Sequence, residues 1–114
     1  MIRTNAFGTR VALAAGLALS VTLAQAADAE KGRQKADQVC AACHGKDGNT
    51  PIDPSYPRLA GQAADYLYVA LKGYKNETRK NAIMGGMAKP LTDADMKNLA
   101  AYYASLPGSL RVKR

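Results

Sequence analysis

Both cysteines and the only histidine of this chain are gathered into five residues, Cys40-Ala41-Ala42-Cys43-His44. Two thiols three positions apart can each add across one vinyl group of a haem, and the adjoining imidazole then lies under the iron as its proximal ligand. Such an attachment constrains architecture as well as chemistry. A large planar apolar group becomes the centre of the core, and the rest of the chain has to wrap it. Other uses of the motif fit less well. Structural zinc takes about four ligands, and the chain holds no further cysteine or histidine. A redox CxxC of the thioredoxin kind needs a βαβ setting, and no strand-like run flanks this one. A disulfide between Cys40 and Cys43 closes a very short loop and gives His44 no role. One CxxCH implies one haem c.

The first 26 residues have the anatomy of a secretion signal. Arg3 and Arg10 make a basic start, Val11 to Leu23 is an apolar run of 13 residues, and Ala24-Gln25-Ala26 supplies a small-x-small cleavage pattern. The run is short of the roughly 20 residues needed to span a bilayer. Cleavage after Ala26 is therefore expected, leaving residues 27–114, a chain of 88. Export agrees with the chemistry, because c-type haem is attached outside the cytoplasm in bacteria. The expected compartment is the periplasm.

Eighty-eight residues make one domain. A domain this small buries about 60% of its unfolded surface and is marginal without a staple, which a covalent haem supplies. Arg3 and Arg10 leave with the signal, so the domain keeps 14 of the 16 basic residues against all 9 acidic ones. That excess suits a solvated surface or steering toward an acidic partner. No basic run is interleaved with stacking aromatics, so nucleic-acid binding is not expected.

The pattern along the domain is helix, loop, helix, loop, helix, an all-α arrangement. The first helix is expected over about Ala29 to Cys43, with Gly32, Ala36, Val39, Cys40 and Cys43 on one face. Glycine costs helix stability, so Gly32 is read as a point of close helix contact. Gly45 to Gly61 is rich in Gly, Pro, Asp and Asn and reads as a loop. Its 17 residues are many for so small a domain, unless they wrap the haem. Gln62 to Tyr74 returns to helical period, with Tyr66, Ala70 and Tyr74 in one row beside Leu67 and Leu71. Lys75 to Pro90 is expected to be a second loop. Thr92 is an N-cap candidate for the last helix, with Asp95 positioned to complete a capping box. Met96, Leu99, Tyr103 and Leu106 form its apolar stripe, and Leu106-Pro107-Gly108 stops it. Leu110 to Arg114 is expected to be a frayed basic tail.

The ligand opposite His44 decides what the haem does. The internal candidates are Met84, Met87, Met96 and the lysines or tyrosines. Met84 and Met87 belong to the glycine-bearing second loop, where a thioether can reach a metal, whereas Met96 belongs to an apolar stripe. A methionine ligand favours ferrous iron and raises the potential. It also fills the coordination sphere, which suits electron transfer rather than binding of oxygen or peroxide.

With these motifs in order the chain resembles the small monohaem class I cytochromes c of bacteria, and in particular the single-haem halves of two-haem periplasmic respiratory cytochromes. The resemblance extends over nearly all of residues 27–106. It is carried by Cys40 to His44, by Gly32 eight residues earlier, by Tyr56-Pro57-Arg58-Leu59-Ala60-Gly61-Gln62, and by Leu91-Thr92-Asp93-Ala94-Asp95-Met96-Lys97-Asn98-Leu99-Ala100-Ala101-Tyr102-Tyr103. It implies the class I fold of three main helices and long loops around one haem. It places the ligand methionine seven residues before Leu91, at Met84, with Met87 as runner-up because Gly85 and Gly86 loosen the register. It also implies that the Pro57 carbonyl accepts from the haem histidine, that Leu59 belongs to the haem site, that Arg79 pairs with a propionate, and that Gly32 meets Tyr102. The absence of Trp and the basic tail depart from the family pattern.

Three function classes follow. The first is a diffusible, monomeric one-electron carrier with no small-molecule substrate and no catalytic residue, working between redox protein partners. The second is a cytochrome subunit of a dehydrogenase or oxidase complex. The third, an enzyme or gas sensor with open iron, requires that neither Met84 nor Met87 bind.

Overall fold

The computed structural model describes residue 8, residues 10–20 and residues 26–111. Arg3, residues 21–23 of the apolar run, Ala24 and Gln25 of the cleavage pattern, and residues 112–114 of the tail lie outside the described residues. Val11 to Ser20 take no regular structure, and Val11, Leu13, Leu17 and Leu19 stay exposed. Among the described residues no helix is long and apolar enough to cross a membrane.

The regular elements described are all helices: α1 (Ala29–Val39), α2 (Ala41–His44), α3 (Ala64–Lys75), α4 (Ala82–Ala88) and α5 (Asp93–Ser105). The expected all-α fold with three main helices is what the chain adopts. Asp28 starts α1 by accepting from the Glu30 and Lys31 amides at 3.0 and 3.1 Å, which satisfies two of the donors a helix start leaves open. Its own amide donates to Asn98 Oδ1 at 2.8 Å, pinning the start of α1 to α5. The capping box of α5 is complete: Asp95 N–H donates to Thr92 Oγ1 and Thr92 N–H to Asp95 Oδ2, each at 3.0 Å.

The core lies where α1, α3 and α5 meet. Ala36 of α1, Leu67 of α3 and Met96, Leu99, Ala100 and Tyr103 of α5 are buried there, with Ala88 and Leu91. Gly32 is buried against α5. A methyl carbon added to it would stand 2.0 Å from the Asn98 carbonyl oxygen and 2.9 Å from Tyr102 Cβ, so only glycine allows this approach.

Three elements differ from expectation. The first helix does not run unbroken to Cys43. Cys40 turns to φ −116°, well away from the helical value near −63°, and its carbonyl accepts from both Cys43 and His44. One tight helical turn, α2, then ends at Gly45, whose φ of +85° is a conformation that disfavours any side chain. The second difference is α4, found where a continuous loop was expected. Met84 and Met87 therefore sit on a helix, because Asn81 Oδ1 accepts from Met84 N–H at 3.0 Å and starts one. Third, the tail does not fray at once: Leu110 packs against the cavity described below.

The long loop after α2 is ordered by its own hydrogen bonds. Asp47 Oδ1 accepts from the Asn49 and Thr50 amides. The Gly48 carbonyl accepts from Leu59 and Ala60, Ile52 N–H donates to the Cys43 carbonyl, and Gly61 N–H donates to the Tyr103 carbonyl. These ties hold the loop over one side of the helices.

Candidate functional site

The loop and the helices line an open cavity of about 930 Å³. This lies at the upper end of the range of about 300–1,000 Å³ usual for cofactor and small-molecule sites. His44 enters it from α2, Thr50, Pro51, Tyr56, Pro57 and Leu59 from the loop, Tyr66, Leu67, Ala70, Leu71 and Tyr74 from α3, and Met84 from α4, with Arg79 at the turn between the last two. The row that sequence period placed on α3 is thus the cavity wall.

His44 is only 7% exposed. Its Nδ1 lies 2.9 Å from the Pro57 carbonyl oxygen. A carbonyl can only accept, so Nδ1 carries the proton and the lone pair is on Nε2. Fixing the tautomer in this way orients the ring and strengthens it as a ligand. The expected pairing of His44 with Pro57 is present.

Cys40, at the N-cap of α2, and Cys43, within it, are half-buried free thiols. Burial pushes the Cys40 thiol up to about 11, and the Tyr103 hydroxyl beside it offsets only part of that rise. Among the described residues no three of His, Cys, Asp or Glu converge as metal ligands. The cavity holds one imidazole and one thioether, the pair that binds haem iron in the cytochromes c, beside the tyrosines Tyr56, Tyr66 and Tyr74, of which Tyr66 accepts from Arg79.

The two methionines separate here. Met84 lines the cavity, whereas Met87 does not and is 39% exposed. Met96 is buried in the core on α5, as its stripe predicted. Arg79 lies at the cavity rim, donating to the Tyr66 hydroxyl at 3.2 Å with its guanidinium carbon 5.0 Å from the Tyr74 ring centre. The hydrogen bond to Tyr66 first, and the Tyr74 hydroxyl after it, hold its pKa above the ordinary arginine value. Sequence reasoning placed Tyr66 and Tyr74 on one face and did not connect them to Arg79. It also missed Asn81, although Asn followed three residues later by Met84 at the start of an apolar stretch is an N-cap signal.

An all-α chain whose CxxCH histidine shares one apolar cavity with a thioether, the two cysteines standing outside its lining, has the ligand pair of a haem-binding electron-transfer fold. The Cytochrome c family profile matches residues 29–107, and the chain belongs to the cytochrome c family. Covalent haem c comes with that membership, and Cys40, Cys43 and His44 fit its attachment motif. The structure is similar to reduced recombinant cytochrome c4 from Pseudomonas stutzeri, with a TM-score of 0.67 and 43% identity over 74% of this chain and 48% of that one. Cytochrome c-554(548) of Halomonas halodenitrificans is 45% identical over 83 residues, covering 70% of this chain and 98% of its own. A thiosulfate dehydrogenase electron acceptor of Thiomonas intermedia is 46% identical over 70 residues, 61% of this chain and 32% of that protein. The chain spans about half the length of the cytochromes c4 it matches, in line with its resemblance to one haem-bearing half.

Proposed function

We propose that this protein is a one-electron carrier of the bacterial periplasm, released from its leader by cleavage after Ala26. In this reading Cys40 and Cys43 attach one haem, His44 and Met84 hold its iron, Leu59 packs against it, and Arg79 pairs with a propionate. The observation that carries the reading is the placement of His44 and Met84 in one apolar cavity, with His44 Nδ1 committed to Pro57. When bound, the haem supplies the one-electron couple. The chain's own residues orient the imidazole, present a soft neutral sulfur that favours the ferrous state, and keep the site apolar. The reading needs no acid–base residue and assigns no catalytic one.

Charge supports protein partners. The four ion pairs among the described residues all lie on α1 and α5: Glu30 and Asp37 with Arg33, Asp95 with Lys35, and Asp93 with Lys97. Arg79 at the cavity rim, and Lys46, Lys80 and Lys89 in the segments that flank α2 and α4, are exposed and have no carboxylate in ion-pair reach among the described residues. Free cations in these segments favour approach of an acidic redox partner.

A second reading, a cytochrome serving a dehydrogenase, is favoured by the likeness to the thiosulfate dehydrogenase electron acceptor. Both readings use the same ligands, and co-purification with a catalytic subunit separates them. The ligand assignment is tested by substitution. Met84→Ala abolishes the weak charge-transfer band at the red edge of the ferric spectrum and lowers the potential, whereas Met87→Ala leaves both near wild type. The reverse result moves the ligand to Met87, and no effect from either points to open iron.

A further inference from the structure

α4 is seven residues long, with Gly85 and Gly86 at its centre. So short a helix with two glycines does not hold itself in water, yet it must keep one thioether in a fixed place. Beyond the burial of Ala88 in the core, polar contacts hold it at its two ends. Asn81 receives the Met84 amide at the start. At the far end Lys75, the last residue of α3, reaches across. Its Nζ donates to the Lys89 carbonyl at 2.9 Å and to the Leu91 carbonyl at 2.5 Å. The Lys89 carbonyl, at the C-cap of α4, lacks an internal helix partner, the Leu91 carbonyl lies in the link to α5, and among the described residues no other side chain reaches either. Lys75 also has no carboxylate in ion-pair reach among the described residues. Its charge is spent on the backbone.

We infer that Lys75 is a positioning residue for the haem site. Its ammonium latches the exit of α4 to α3 and thereby sets how often Met84 leaves the cavity it shares with His44. The inference rests on the assignment of Met84 above. Met84 and the latch are on opposite sides of Gly85 and Gly86, so freeing the exit frees the thioether to swing about its Asn81 cap.

Imidazole added to the ferric holoprotein reads this opening directly, because it binds only where the thioether has left. Its apparent affinity scales with the open fraction. Lys75→Met keeps the length and apolar stem of the side chain and removes the ammonium. Loss of hydrogen bonds from a charged donor to two carbonyls should raise the open fraction roughly tenfold or more, so imidazole binds about tenfold tighter and bleaches the charge-transfer band at lower concentration. Lys75→Arg, which keeps the charge and reaches both carbonyls, restores most of the wild-type affinity. Lys80→Met removes a nearby cation without touching a carbonyl and leaves the affinity unchanged.

Wild-type imidazole affinity in Lys75→Met overturns the inference, as does an equal gain in Lys80→Met, which would reduce the effect to net charge. A Lys75→Met protein that fails to fold, and that Lys75→Arg does not rescue, overturns it too. Met84→Ala keeps the two readings apart. It binds imidazole tightly with or without Lys75→Met if the thioether is the ligand. An unchanged affinity in Met84→Ala sinks the ligand assignment itself.

Discussion

Gly32→Ala tests the packing that brings the first and last helices together. The new methyl would stand 2.0 Å from the Asn98 carbonyl oxygen, 2.5 Å from its carbon and 2.9 Å from Tyr102 Cβ. The obstruction is the backbone of α5 rather than the tip of a flexible side chain, so α1 and α5 must part by about an ångström before the contact is tolerable. Overpacking typically costs about 1–3 kcal/mol, and α1 packs more extensively against α5 than any other helix pair, so the upper end applies. Alanine recovers about 1 kcal/mol of helix propensity over glycine. The net loss is then about 2 kcal/mol, which for a domain of this size lowers Tm by roughly 8–16 °C. Gly86→Ala is the matched control: nothing lies within 4 Å of its added carbon. It should raise Tm by a few degrees through propensity alone. The assay is thermal unfolding of the haem-loaded, processed protein followed by far-UV circular dichroism. A Gly32→Ala melt within about 3 °C of wild type, or the same direction of shift in both variants, refutes the reasoning.

Three further outcomes are expected. Denaturing mass spectrometry of exported protein gives the chain 27–114 plus one haem, Ala at Cys40 or Cys43 leaves a single thioether, and a bare polypeptide mass in the wild type ends the haem reading. The second-order rate of electron transfer with the native partner falls as salt shortens the reach of charge to about 10 Å at 0.1 M. Lys46→Glu and Lys89→Glu mimic that fall, and a rate that stays flat with ionic strength shows contact through an uncharged rim. The Asp47 carboxyl is held below the ordinary aspartate range by the Asn49 amide first and the Thr50 hydroxyl next. A depressed folded pKa contributes stability present above about pH 4 and lost as pH falls through the folded value. Melts from pH 6 to pH 3 should therefore decline less steeply in Asp47→Asn, and identical slopes remove Asp47 from the acid limb.

What was legible in the sequence was local. The haem motif is five consecutive residues, so its chemistry could be read without knowing any distant contact. The capping box at Thr92 and Asp95, the apolar stripe of α5 and the α3 row of Tyr66, Ala70 and Tyr74 follow from spacing within a few turns of helix. Gly32 was legible as an anomaly, a helix-weakening residue on an apolar face, although only the α5 backbone explains it. The periodicity signal failed at α4, because seven residues with two central glycines carry too short a pattern to register as a helix.

The tertiary structure decided what depends on two distant segments arriving at one place. Met84 and Met87 are equivalent in composition and nearly so in sequence; the Asn81 cap sets the turn of α4 so that Met84 lines the cavity and Met87 is more exposed. His44 gains its proton position from a carbonyl 13 residues away, and Arg79 its place from rings on the preceding helix. Lys75 reads in sequence as one more surface lysine, and only the return of the chain at Lys89 and Leu91 gives its ammonium two carbonyls. Spacing along a chain determines which residues share a helix face. Which faces meet is set by the packing of the whole domain, where each contact depends on all the others.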